Sequence, residues 1–131
     1  MPSELLAPLV NAHRQLATTG VLYMAAAGAW GLLMVWQKRP MDANYRGILI
    51  IGYVLGDLIG LLGAAIYVFY DGGTLLHDPL HILYGLITAV GLPMAAIWSQ
   101  NRSDQQKPLI YGLAALFMMG IFIRGIMTAT R

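Results

Sequence analysis

Hydrophobic and polar positions divide the chain into four long apolar segments joined by short polar ones. The apolar segments cover about residues 15–36, 47–70, 80–98 and 109–128. Each is close to the roughly 20 residues that a helix needs to cross the hydrocarbon core of a bilayer. The pattern therefore predicts an all-α integral membrane protein, an up-and-down bundle of four transmembrane helices that forms a single domain over residues 1–131.

Prolines and polar residues indicate where several of these helices begin and end. The first helix has an interfacial start from Ser3 and ends at the Gln-Lys-Arg-Pro sequence of residues 37–40. Asp78 is a good N-cap for the third helix, and Pro79 suits its first position. Pro93, inside the third helix, removes one backbone donor and predicts a kink.

The composition agrees with this class and excludes several functions. The chain is 58% hydrophobic and 11% charged, whereas soluble domains are about 25% charged. Four spans use nearly all of the 131 residues, so a soluble catalytic domain has no room. The absence of cysteine excludes disulfides, thiolate-held iron–sulfur clusters, c-type haem and cysteine nucleophiles. The lipid bilayer is the predicted partner, and nucleic acid is not.

The basic residues in the loops predict the orientation of the chain. Five of them lie in the first and third loops: Lys38, Arg39, Arg46, Arg102 and Lys107. The other side has Arg131 and, near the boundary, Arg14. By the positive-inside rule, the first and third loops face the cytoplasm. Both termini and the loop that carries His77 are then outside.

The second segment contains a carboxylate, Asp57, at its centre. A charge inside a membrane span is costly and usually has a partner. Gly52, Gly56 and Gly60 recur every fourth residue beside it, which predicts a face for close packing against other helices, other membrane subunits or a second copy of the chain. Two interpretations of Asp57 stay open: a structurally paired residue in a packing seam, or a residue that handles protons or binds a ligand.

Arg124 is the predicted partner of Asp57. Counted from the cytoplasmic ends of their helices, Asp57 lies about 15 Å and Arg124 about 22 Å into the membrane. An arginine side chain can cover this difference, so we expect an ion pair or a water-bridged contact. In the alternative, Arg124 reaches outward to water and Asp57 is protonated.

Two histidines are placed at matching depths in the first and third segments. His13 precedes Trp30 and His81 precedes Trp98 by the same interval, about 25 Å of helix. Both histidines therefore lie near the outer boundary. They are candidates for the two axial ligands of a b-type haem, or for ligands of one copper or zinc ion. The alternative is that they are interfacial side chains without a ligand.

Two arginines lie in the same outer half of the membrane as the histidines. Arg14 and Arg124 carry guanidinium groups that match the carboxylate geometry of haem propionates. We expect a small integral-membrane subunit of a larger complex, an electron-transfer assembly. The subunit is expected to carry one b-type haem near the outer side. The alternative is a small proton-coupled transporter that uses Asp57. No nucleophile–base pair is visible in the sequence, so no catalytic activity of its own is expected.

Overall fold

The computed structural model describes residues 2–71 and 79–129, and this part of the chain is helical without any strand. Four helices account for it: α1 (Leu6–Trp36), α2 (Ala43–Ile66), α3 (Pro79–Ser99) and α4 (Lys107–Ala129). A short 3-10 turn precedes α1, and a π-helical turn extends α2 to residue 71. The predicted all-α four-helix architecture is confirmed.

All four helices are long and apolar enough to cross a membrane. The 31 residues of α1 span about 46 Å, more than the hydrocarbon core alone. Its interfacial start is part of the same helix, as predicted. Which end of the bundle faces the cytoplasm stays a prediction.

The start of α2 is earlier than the apolar segment indicates. The side chain of Asp42 accepts a hydrogen bond of 2.7 Å from the backbone N–H of Tyr45 and caps the helix. The N-cap predicted for α3, Asp78, lies outside the described residues. α3 continues through Pro93, and the kink predicted there stays a prediction.

The helices form a ring in which each packs against the next and α4 returns to α1. As a result α1 and α3 lie diagonally across the bundle, and so do α2 and α4. The α1–α4 contact is the most extensive of the four. We call the end that contains His13 and His81 the histidine end, and the end that contains the connections 37–42 and 100–106 the basic end.

Close backbone approach characterises the α1–α4 seam near the basic end. A Cβ atom placed on Gly31 would lie 2.8 Å from the Cα atom of Gly112 and 2.9 Å from the Pro108 carbonyl oxygen. Tyr45 is fully buried beside this seam, and its hydroxyl donates a 2.8 Å hydrogen bond to the Ala27 carbonyl. The seam requires glycine because no side chain fits between the helices.

The centre of the bundle is filled by a cluster of apolar side chains. Phe122 of α4 reaches across it, and its ring touches the positions of Gly20 on α1 and Gly56 on α2. Large apolar side chains are exposed on the outer surface of every helix, for example Leu22, Leu61, Leu86 and Leu113. This surface is compatible with a lipid environment.

Candidate functional site

The structure brings His13 and His81 together at the histidine end. They come from the diagonal helices α1 and α3, which run in the same direction, so both side chains project into the bundle at one level. Their ring centres are 6.2 Å apart and the ring planes are inclined by 72°. The equal depth expected from the sequence is thus accompanied by direct proximity.

The ring of His81 is fixed by α4. Its Nδ1 lies 2.9 Å from the Gly125 carbonyl oxygen and 3.1 Å from the Thr128 hydroxyl oxygen. A carbonyl can only accept, so Nδ1 carries the hydrogen and donates it. In the neutral ring the lone pair is then on Nε2, which has no hydrogen-bond partner among the described residues. This is the arrangement that orients a histidine as a metal ligand.

His13 is held from the other side, by α2. A Cβ atom on Gly63 would lie 2.9 Å from its Cε1 atom. Its Nδ1 atom is buried without a hydrogen-bond partner. Since buried polar atoms are nearly always paired, this nitrogen is an exception that a bound group would account for.

His13 and His81 are the metal-ligating side chains that the described residues bring together at this end. Among the described residues, no three histidine or acidic side chains come together as a possible metal site. Zinc in proteins takes three or four protein ligands. Haem iron takes four from its macrocycle and needs only the two axial ones. Two imidazoles equal the number of axial ligands that haem iron takes.

Small residues surround the two rings and leave space. Gly85 lies one turn after His81 on the same face of α3, and Gly60 lies one turn before Gly63 on α2. A Cβ atom at Gly60, Gly85 or Gly125 would meet no other atom within 4 Å. The positions of these three glycines are therefore open, whereas Gly63 is packed against the His13 ring.

The two arginines predicted to bind propionates are both exposed. Arg14 lines an open surface groove of about 420 Å³ together with Ser3, Asn11 and neighbouring apolar residues of α1. The backbone carbonyl of Arg124 accepts a hydrogen bond from Thr128, the residue that also contacts His81. Both arginines lie at the histidine end, and their role towards a cofactor stays a prediction.

Asp57 is half-buried, and Tyr53 lies one turn earlier on α2. The ion pairs among the described residues join Arg39 to Asp42 and Lys107 to Asp104, so Asp57 and Arg124 form no direct pair. They belong to diagonal helices, and Arg124 is exposed. A water-bridged contact stays a prediction.

The predicted glycine face of α2 is only partly a packing face. Gly52 lies against Tyr23 and Met24 of α1, and Gly56 lies against Thr88 of α3, but the position of Gly60 is open. Each four-residue step advances by about 40° around a helix of 3.6 residues per turn, so a fourth-residue row leaves the interface. Gly63 takes the inward position instead.

Thr128, Gly125 and Gly63 are the site residues that the sequence did not reveal. A threonine near a helix end and glycines in an apolar helix have no distinguishing local signal. Their contact with the histidines depends on which helices are neighbours in the ring. In comparisons with known proteins, the chain matches no family model, no curated protein and no solved structure.

Proposed function

We propose that this protein is a small membrane subunit of an electron-transfer assembly and that it holds one b-type haem between His13 and His81. The observation that carries the proposal is the pair of imidazole rings, contributed by diagonal helices, with centres 6.2 Å apart. Held at this spacing, the two imidazoles would ligate the iron of one haem between α1 and α3.

The surroundings of the pair support the same ligand. His81 is oriented by the Gly125 carbonyl, and the buried Nδ1 of His13 is unpaired. Gly85 and Gly125, near the rings, carry no side chain that would oppose a bound group. When bound, a haem would supply reversible one-electron transfer. The protein would hold it by two histidines and keep its surroundings apolar, with Arg14 and Arg124 available to its propionates.

The proposed membership of a larger assembly follows from the number of electrons that such a site can hold. One haem stores one electron, so it needs a donor and an acceptor outside this chain. The part of the chain that the structure describes consists mainly of four helices that could cross a membrane. A partner membrane subunit or a lipid-soluble carrier must therefore complete the reaction.

The test is a reduced-minus-oxidised absorbance spectrum of the protein purified in mild detergent after expression with sufficient haem. We expect a sharp α band and about one haem per chain. His13→Ala and His81→Ala should each remove the band, and His77→Ala, which changes the third histidine, is the matched control. Folded protein without an α band would overturn the haem proposal.

Proton-coupled transport through Asp57 is the second candidate. It is favoured by one observation, the half-buried carboxylate that no basic side chain among the described residues pairs with. Asp57→Asn separates the candidates. A carrier would lose transport in proteoliposomes and still assemble, an electron-transfer subunit would keep its haem band, and a structural aspartate would lose assembly.

A further inference from the structure

A groove lies between the end of α3 and the start of α4 at the basic end. It has a volume of about 310 Å³ and is lined by Trp98, Arg102, Gln106, Leu109 and Ile110. Trp98 is 65% exposed and Leu109 is 43% exposed, so the apolar walls are open to the outside of the bundle. The groove is far from both histidines and has no part in the proposed haem site.

The position of the groove places it across the boundary between hydrocarbon and headgroups. Trp98 lies in the last turn of α3, and tryptophan concentrates at this depth in membrane proteins. Leu109 and Ile110 face it from the first turns of α4. Arg102 and Gln106 lie in the connection between the helices, on the water side. The groove is thus apolar towards the membrane and polar at its mouth.

Arg102 supplies an uncompensated positive charge at this mouth. Its guanidinium carbon lies 5.8 Å from the centre of the Trp98 ring, a cation–π contact that positions the group. The nearest acid along the chain, Asp104, is paired with Lys107 at 3.4 Å. No carboxylate among the described residues pairs with Arg102, so its N–H donors remain available to an anion.

We propose that this groove binds an anionic phospholipid, with an acyl chain along Trp98, Leu109 and Ile110 and the phosphate on the Arg102 guanidinium. Guanidinium groups bind phosphate oxygens through two parallel hydrogen bonds. The basic end favours negative charge generally, because residues 37–46 and 100–107, the connections with the adjoining helix starts, carry five basic residues and two acidic ones. Free phosphate, which has no acyl chain, would leave the apolar walls of the groove without a contact.

The test is native mass spectrometry of the full-length protein in detergent, titrated with phosphatidylglycerol or with phosphatidylcholine of the same acyl chains. We expect phosphatidylglycerol to bind about fivefold more tightly, and Arg102→Gln to remove this preference. Arg46→Gln is the matched control, since it removes the same charge from an exposed position at the same end. It should leave the preference unchanged.

Three results would overturn the proposal. One is equal binding of the two lipids by the unchanged protein. Another is an equal loss of preference in Arg46→Gln, which would show a general surface charge effect and not a site. The third is displacement of phosphatidylglycerol by millimolar inorganic phosphate, which would identify a free-anion site. Retention of the preference by Arg102→Lys at a reduced level would support the guanidinium contact.

Discussion

At the basic end of the bundle, Gly31 and Gly112 allow two backbones to approach, whereas at the histidine end Gly60, Gly85 and Gly125 have open positions. A Cβ atom on Gly31 or Gly112 would contact the opposite backbone. A Cβ atom on any of the other three would have nothing within 4 Å. The same residue type is thus required by close packing in one place and meets no neighbour in the other. Composition alone does not distinguish these uses.

The largest expected effect is on the tightly packed end. Gly31→Ala places a methyl group against the Gly112 Cα atom, the Pro108 carbonyl and the Tyr45 hydroxyl. Backbone cannot move aside as a flexible side chain can, so we expect a loss of about 3 kcal/mol in the free energy of unfolding. Titration of the purified protein with a denaturing detergent measures it.

Gly47→Ala is the control for this prediction. It is the same change in a helix near the same end, at a position with nothing within 4 Å. Here alanine should stabilise the helix by about 0.5 kcal/mol because it has the higher helix propensity. Equal effects at Gly31 and Gly47 would contradict the assignment of the α1–α4 seam as the rigid part of the bundle.

The second-largest expected effect is on haem binding at the histidine end. Gly85→Leu fills the space one turn from His81 without meeting another atom at its Cβ. If this space receives the haem, its occupancy at limiting haem should fall about tenfold or more, because the inserted side chain competes for the same volume. The stability of the haem-free protein should change by less than about 1 kcal/mol. Haem content per chain and detergent unfolding report the two quantities separately.

Gly47→Leu, which adds the same side chain far from the histidines, is the matched control for Gly85→Leu. It should leave haem occupancy unchanged. Full haem occupancy in Gly85→Leu would mean that the open volume beside His81 is not where the cofactor lies. A large loss of stability in that variant would instead mean that the position is packed against another helix.

The four helices and the equal depth of the histidines could be predicted from the sequence because each depends on distance along one helix. Apolar length determines the spans, and the equal intervals from His13 to Trp30 and from His81 to Trp98 determine equal depth. Lateral relations are different. Consecutive helices form a ring, so α2 and α4 are diagonal, and Asp57 and Arg124 are separated although their depths are similar.

Contacts made by backbone atoms could not be predicted from the sequence either. The Gly125 carbonyl that orients His81 belongs to a helix whose rotation is set by packing along the whole α1–α4 seam. The start of α2 was predicted incorrectly for a different, local reason, which is the side chain of Asp42. Its capping hydrogen bond to Tyr45 begins α2 before the apolar segment starts, so hydrophobicity alone placed that boundary too late.

The smallest expected effect is found by comparing two glycines of α2, Gly60 and Gly52. Gly60→Ala adds a methyl group where nothing lies within 4 Å, so we expect stability to change by no more than about 0.5 kcal/mol, towards greater stability. Gly52→Ala, two turns earlier, brings a Cβ atom to 3.1 Å from the Met24 methyl and 3.2 Å from the Tyr23 ring. Those side chains must shift, at a cost of about 1 kcal/mol. Detergent unfolding of these two variants therefore measures whether the row of glycines at every fourth residue has left the α1–α2 interface by Gly60. Equal losses at both positions would mean that Gly60 packs against another helix or a second molecule.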